Sequence, residues 1–257
     1  MTTPDKPSTA ITTDPWHSLR SFTHARIALG RAGAALPVAE ALQFRLAHAH
    51  ARDAVYSILD TDTLRATLET QGHTVAWVQS QAHHREEYLK RPDLGRILNF
   101  TSRTAIQQLT TTPTAQIAII LADGLSATAI NNHALPVLTI LLKKFEDAAL
   151  TLAPVILATQ SRVALADEIG ELLNVKLSII LIGERPGLSS PESMGAYLTF
   201  NPRSGLTDEA RNCISNIHPQ GLPYAAAADT IFYLARTAFS RELTGIALKD
   251  ETPPQLN

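Results

Sequence analysis

The chain has 257 residues, of which 45% are hydrophobic and 18% charged, and its formal net charge is -2. This composition permits a hydrophobic core and allows one large domain, or one domain with a smaller appendage. It argues against a nucleic-acid-binding protein, which normally concentrates basic residues on one face. The apolar runs are much shorter than the ~20 residues that cross a bilayer, so we expect no membrane span.

The chain ends and the cysteine content indicate an intracellular protein. Cys213 is the only cysteine, which excludes a disulfide within the chain and fits a reducing cytosolic setting. The N-terminal residues lack the apolar segment of a secretory signal. Residues 1–13 and 251–257 contain Thr or Pro without any apolar period, so we predict that both are tails.

Residues 14–105 have a mostly helical pattern. Pro37 suits the first position of a helix, and the chain then continues to Leu59 without glycine or a further proline. Thr63–Gln71 predicts another helix, and RPDLGR at 91–96 is typical of a turn.

Residues 106–250 alternate short apolar runs with helical stretches. Such continuous runs are typical of strands buried on both faces of a sheet. They predict strands at Gln116–Ala122, Ala153–Ala158, Lys176–Ile182 and Ala196–Phe200. Arg162–Asn174 predicts a helix with Ser161 as its N-cap, and a last helix begins near Tyr224. The fold class that follows is α/β: a Rossmann-like, mainly parallel sheet domain at 106–250, preceded by the helical N-terminal region.

Three loops of this sheet would border a ligand crevice, because open α/β sheets bind ligands beyond the carboxyl ends of their strands. These loops are ADGLSA at 122–127, TQSRVA at 159–164 and IGERPGLSSP at 182–191. The third brackets Glu184 and Arg185 with glycine and proline, although a surface turn with an ion pair would have the same pattern. No G-x-G-x-x-G or Walker A motif occurs, which argues against NAD and ATP.

Histidine spacing predicts no metal site. His48 and His50 are two residues apart on a predicted helix and therefore point to different sides, and His83 and His84 are adjacent. Neither pair has the i, i+4 spacing that two ligands on one helix need.

Cys213 is not predicted to be a nucleophile. Thr207 could cap a short helix with Asp208 and Glu209 in its first turn. Cys213 would then lie late in that helix, where the helix dipole raises a thiol pKa. Packing or contact with a ligand is the favoured interpretation.

Seven segments, in matching order and spread from about residue 14 to residue 250, resemble the small subunit of ethanolamine ammonia-lyase. They are ARIALGRAG (25–33), LAHAHARDAV (46–55), RPDLGR (91–96), LADGLSA (121–127), SRVALADEIGELL (161–173), LIGERPGLSSPES (181–193) and RNCISNI (211–217). The resemblance implies an adenosylcobalamin-dependent lyase that converts ethanolamine to acetaldehyde and ammonia.

The resemblance also implies the place of this chain in the enzyme. A large subunit with a (β/α)8 barrel would carry the chemistry, and six copies of each chain would form a hetero-oligomer. The family's cobalamin contacts fall on Val163, Glu184 and Cys213, and no catalytic or metal-ligating residue is expected here. The setting implied is the cytoplasm or a bacterial microcompartment. Only about 13 residues precede the matching region, which disfavours encapsulation.

Residue chemistry agrees with two of these contacts. Val163 would lie in the first turn of the predicted helix, where backbone N–H groups are free. Glu184 could accept hydrogen bonds from the corrin's amide side chains. Position alone does not explain Cys213.

His218 lies in an N-x-H-x-x-G sequence at 216–221, close to the D-x-H-x-x-G by which some proteins ligate cobalt. Neutral Asn216 supports such a ligand poorly, so we expect cobalamin to keep its own base. Two other interpretations stay open at this stage: a stand-alone nucleotide-binding domain or oxidoreductase, and a scaffold protein without a ligand.

Overall fold

The computed structural model describes residues 11–109 and 115–249. In these ranges the α-helices are α1 Val38–Tyr56, α2 Thr61–Thr70, α3 Arg85–Lys90, α4 Phe100–Gln108, α5 Ala127–Asp147, α6 Leu165–Leu172 and α7 Tyr224–Arg241. The strands are β1 Val75–Gln79, β2 Ile117–Ala122, β3 Val155–Thr159, β4 Leu177–Gly183, β5 Met194–Phe200 and β6 Arg211–Ile217. Short 3-10 helices occur at His17–Phe22, Leu94–Arg96, Asp208–Ala210 and Gly245–Ala247.

The described residues form two compact units. Unit 1 consists of the residues up to Asp53 together with Gly187–Pro191, and unit 2 consists of Ala54–Pro186 and the residues from Glu192 onward. In the described part of unit 1, Pro37 is the only buried residue. Unit 2 contains the whole sheet and both hydrophobic cores.

The sheet is mixed, with the strand order β1-β3-β2-β4-β5-β6. The first four strands in this order are parallel to one another. β5 pairs antiparallel with β4, and β6 pairs antiparallel with β5. The α/β class is therefore confirmed, whereas the sheet is parallel in only four of its six strands.

Both faces of the sheet are covered, because the central strands are apolar on both sides. Every residue of β2 and β4 is buried. Ile119 and Leu121 of β2 pack on the side of α2, α5 and α7. Ala118 and Ile120 pack on the opposite side, with α4 and α6. Alternate side chains of a strand point to opposite faces of the sheet. A strand therefore needs an unbroken apolar run when helices cover both faces.

The chain order creates a switch point at β2. From β2 the chain passes through α5 to β3 on one side of it, and from β3 it passes through α6 to β4 on the other side. The loops that leave β2, β3 and β4 therefore meet at one end of the sheet, where ligands of open α/β sheets bind.

All four predicted strands are confirmed, with ends within two residues of the expected ones. The helices expected after Pro37, around Thr63–Gln71, within Arg162–Asn174 and from Tyr224 are also present. β1 was not predicted, because the segment around it was assigned to the helical region at 14–105. It is a five-residue edge strand with one fully buried residue, Val78, and so has no continuous apolar run. The bounds of 14–105 and 106–250 stay a prediction, and the tails predicted at 1–13 and 251–257 lie outside the described residues except for residues 11–13.

Two predicted local features are wrong. The helix expected to follow Thr207 is limited to Asp208–Ala210, and Cys213 lies in β6 instead. The backbone becomes extended at Arg211, whose buried side chain forms ion pairs with Asp167 and Asp208. The pair with Asp167 thereby joins the start of β6 to α6.

Candidate functional site

A cavity of about 430 Å³ lies at the carboxyl ends of the parallel strands in unit 2. The loop after β2 contributes Gly124 and Leu125, the loop after β3 contributes Arg162 and Val163, and the end of β4 contributes Gly183 and Glu184. Tyr88 and Tyr197 also line it. All three loops that were expected to border a crevice contribute to this one cavity.

Two glycines bring the loops after β2 and β4 into backbone contact. Leu125 donates its N–H to the Gly183 carbonyl oxygen at 2.9 Å. A Cβ atom on Gly124, which has a φ of +54°, would overlap that same oxygen, and a Cβ on Gly183 would overlap the Ser126 carbonyl oxygen. Only glycine permits so close an approach, so these positions fix the floor of the cavity.

Asp123 fixes the loop after β3. Its two carboxylate oxygens accept hydrogen bonds from the backbone N–H groups of Gln160 at 2.7 Å and Ser161 at 2.9 Å. Arg85 approaches the same carboxylate at 3.6 Å. Burial raises the pKa of Asp123 to about 6, although these hydrogen bonds and Arg85 oppose the rise.

Tyr88 and Gly95 hold the other side of the same loop. The Tyr88 hydroxyl donates to the Ser161 carbonyl oxygen at 2.9 Å, and the Arg162 N–H donates to the Gly95 carbonyl oxygen at 2.8 Å. The Arg162 guanidinium lies over the Tyr88 ring, 4.4 Å from its centroid. Burial raises the pKa of the Tyr88 hydroxyl, so it remains a neutral donor.

Glu184 is half-buried, and its carboxylate is anchored through one oxygen. Oε2 accepts hydrogen bonds from the Ser193 hydroxyl and from the Asn216 N–H, the latter at 3.2 Å. No ion pair joins Glu184 to Arg185 in the described part of the chain. The loop therefore differs from the alternative interpretation, a surface turn with an ion pair between these two residues. Oε1 accepts no hydrogen bond from the described residues and is therefore available as an acceptor on an anchored side chain.

Cys213 lies beside the cavity rather than in its lining. It is exposed on β6 and is the register partner of Tyr197 on β5, which does line the cavity. Although the residue is exposed, neighbouring groups desolvate its thiol in part and thereby raise the pKa of Cys213; the Glu184 carboxylate adds to the rise, whereas a hydrogen bond with Tyr197 opposes it. The thiol is therefore largely protonated at neutral pH.

The structure thus brings Val163 and Glu184 together and places Cys213 next to them. Val163 is not in the first turn of a helix, because α6 begins at Leu165 with Ala164 as its N-cap. The prediction that Ser161 caps this helix is also wrong, since the N-cap is Ala164 and the Ser161 hydroxyl donates to the Arg162 carbonyl oxygen at 3.2 Å.

Sequence reasoning missed Tyr88, Gly95 and Tyr197. Tyr88 and Gly95 come from the region that was assigned only to helices and turns, with no strand pattern to link it to the crevice. Tyr197 stood inside a predicted strand, and its polar hydroxyl within an apolar run was the available signal.

No cluster of three or more metal-ligating side chains occurs in residues 11–109 and 115–249. His218 is buried, and its two ring nitrogens lie 2.9 Å from Asn216 Oδ1 and 3.4 Å from Gln220 Oε1. None of the helices in the described ranges is both long enough and apolar enough to span a bilayer.

Comparison with known proteins gives a consistent result over nearly the whole chain. Residues 13–249 match the family model described as "Ethanolamine ammonia-lyase light chain (EutC)". A protein of Azotobacter vinelandii named "Ethanolamine ammonia-lyase small subunit" is 52% identical over 93% of this chain and 90% of its own. Proteins with the same name from Ralstonia nicotianae and Xanthomonas campestris are 48% and 50% identical, and the matches cover 96% and 98% of this chain and 92% of each relative.

Proposed function

Because the chain belongs to the ethanolamine ammonia-lyase light-chain family, we propose that it is the small subunit of an adenosylcobalamin-dependent ethanolamine ammonia-lyase. This carbon–nitrogen lyase converts ethanolamine to acetaldehyde and ammonia. The chain binds cobalamin together with a large catalytic subunit, in an assembly with six copies of each. Its own residues hold the cofactor and take no part in the chemistry.

The observation that carries this proposal is the joint placement of the three expected contacts. Val163 and Glu184 line one cavity at the switch point of the sheet, and Cys213 pairs with Tyr197 on its border. These positions come from three separate parts of the sequence. Their convergence at the carboxyl end of the sheet is what a ligand site in this fold class requires.

The donor and acceptor set suits the edge of a corrin ring. Corrin side-chain amides donate hydrogen bonds, and Glu184 offers Oε1 as an anchored acceptor while Ser193 and Asn216 occupy Oε2. Val163 and Leu125 add apolar surface for the ring edge. The cavity of about 430 Å³ is smaller than a whole cobalamin, which supports a site completed by the partner subunit.

Adenosylcobalamin supplies the radical chemistry when it is bound. The residues of this chain would position the corrin edge and exclude water from it. Asp123, Tyr88 and Gly95 keep the loop that carries Val163 in place through backbone hydrogen bonds. His218 engages Asn216 and Gln220 within its own loop, which supports the prediction that cobalamin keeps its dimethylbenzimidazole base on cobalt.

Exposed apolar residues support the proposed assembly. In unit 1, Phe22 is 85% exposed, Val38 is 72% exposed and Trp16 is 67% exposed. Large apolar side chains in such a number are typical of a surface that another protein covers. The four parallel strands of the sheet support the Rossmann-like classification. The cytoplasmic setting and the microcompartment remain predictions that rest on the family resemblance.

Reconstitution tests the proposal. The chain is co-expressed with the large subunit, purified as a complex and titrated with cobalamin, and turnover of ethanolamine is then measured with adenosylcobalamin. We expect cofactor binding and turnover by the complex and no turnover by this chain alone. Failure of the two chains to associate, or turnover by the single chain, would contradict the proposal.

A further inference from the structure

Arg162 is a cation held between two cavities of unit 2. It lines the cavity described above and also a second one of about 710 Å³, and Val163 is likewise shared by both. The second cavity lies on the side of α4 and α6, with Arg96, Arg103 and Arg211 in its lining. The second cavity, lined by four arginines together with Glu168 and Asp208, therefore adjoins the expected cobalamin contact at Val163.

The niche of Arg162 depends on neighbours that leave room for its side chain. Its guanidinium lies over the Tyr88 ring at 4.4 Å. A Cβ atom on Gly95 would lie only 2.9 Å from the Arg162 Cγ atom and from Tyr88 Cε2. The absence of a side chain at position 95 is therefore what lets the arginine lie against the tyrosine, so the guanidinium is fixed before any ligand arrives.

The guanidinium of Arg162 keeps unused donors. Nε is buried and has no hydrogen-bond partner among the described residues, and Nη2 reaches only the Tyr88 carbonyl oxygen at 3.4 Å. Three nearby arginines are instead engaged by carboxylates: Arg85 by Asp123, Arg103 by Glu168 and Arg211 by Asp167 and Asp208. Arg96 and Arg185 also lack a carboxylate partner among the described residues, but only Arg162 lines both cavities and lies over the Tyr88 ring. A fixed, solvent-restricted cation without a carboxylate partner is suited to an anionic ligand group.

We propose that Arg162 binds the phosphodiester of cobalamin's nucleotide loop, a step that rests on the proposed function. Val163 and Glu184 would contact the corrin edge in the first cavity, and the adjoining cavity would take up the nucleotide loop. The phosphodiester is the anionic group of this cofactor. The planar fork of a guanidinium matches phosphate oxygens with two parallel N–H donors.

The test compares two corrinoids that differ in this group. Cobinamide contains the corrin ring and its amides but lacks the nucleotide loop with its phosphodiester. Dissociation constants of cobalamin and cobinamide are measured by equilibrium dialysis for the complex with the large subunit, with and without Arg162→Gln. The control is Arg236→Gln, because Arg236 also lies near an aromatic ring, Phe232, but lines neither cavity.

For Arg162→Gln we expect cobalamin affinity to fall about tenfold to a hundredfold and cobinamide affinity to change by less than about twofold, as loss of a charged hydrogen bond predicts. Arg236→Gln should change neither constant. Equal weakening for both corrinoids, or no weakening for cobalamin, would overturn the assignment while leaving the proposed function intact. A wild-type complex that binds neither corrinoid would refute the proposed function itself.

A second variant tests the assignment if the Arg162→Gln chain does not assemble with the large subunit. Arg162→Lys retains the charge and the aliphatic stem that lies against Tyr88 but loses the planar fork. It should weaken cobalamin binding several-fold and leave cobinamide binding unchanged. Unchanged affinity for both ligands in this variant would also overturn the assignment.

Discussion

Glu184→Gln is the substitution that separates a cofactor contact from a loop-stabilising role. The side chain is anchored by two donors on Oε2, the Ser193 hydroxyl and the Asn216 N–H. The amide oxygen of glutamine can accept both of these hydrogen bonds, so the loop should keep its structure. The amide nitrogen then takes the place of Oε1 and presents a donor where the proposed site needs an acceptor.

The expected magnitude follows from the loss of one charge-assisted hydrogen bond. Such a bond contributes ~1.5–3 kcal/mol, which corresponds to a roughly tenfold to hundredfold rise in the cobalamin dissociation constant. If Glu184 served only as a surface charge, the loss would be ~0–1 kcal/mol. The assay is equilibrium dialysis of cobalamin against the purified two-subunit complex.

Glu192→Gln is the matched control, because Glu192 follows the same loop, carries the same charge and does not line the cavity. It contacts Asn132 and His133 instead. We expect its cobalamin dissociation constant to equal that of the wild type. A Glu184→Gln complex with an unchanged constant, or equal losses in both variants, would refute the reasoning.

Three further predictions concern the frame of the site. Gly183→Ala should destabilise the fold by more than about 3 kcal/mol in chemical denaturation, since its Cβ would overlap the Ser126 carbonyl oxygen, whereas Gly187→Ala should be tolerated because its nearest neighbour lies at 3.6 Å; similar losses would contradict this. The pKa of Asp123 is about 6 in the folded state against an ordinary value of 3.8. Between these two pH values the carboxyl is therefore protonated in the folded state but ionised in the unfolded state. The free energy of unfolding should therefore fall by up to ~3 kcal/mol as pH rises from about 4 to about 6, relative to Asp123→Asn, and parallel pH curves would be contrary evidence. Bound cobalamin should slow alkylation of Cys213, the chain's only cysteine, by iodoacetamide; an equal rate with and without cofactor would argue against that contact.

The sequence predicted the central sheet well because its signal is local. The strands β2 and β4 are unbroken apolar runs, and a sheet covered on both faces leaves that pattern in the residues themselves. The sequence alone therefore predicts that the loops at their carboxyl ends border one crevice. The roles proposed for Val163 and Glu184 come from family resemblance, which the chain's own pattern supports only in part.

The remaining parts of the site depend on contacts between distant residues. Tyr88 donates to the carbonyl oxygen of Ser161, which is 73 positions away in the sequence. No local pattern of apolar and polar residues predicts such a contact. The strand β6 was mistaken for a helix because Thr207 and two acidic residues resemble a helix start. The burial of Arg211 against Asp167, 44 positions away, decides otherwise.

The near absence of buried residues in unit 1 has a thermodynamic consequence. Ordering a backbone costs ~1–2 kcal/mol per residue, and buried apolar surface is the main term that offsets this cost. With Pro37 as the only buried residue of its described part, unit 1 gains little from its own packing. Its amides should exchange hydrogen rapidly in the isolated chain and become protected in proportion to the concentration of whatever protein covers it. The stability of unit 1 would then depend on the concentration of its partner protein.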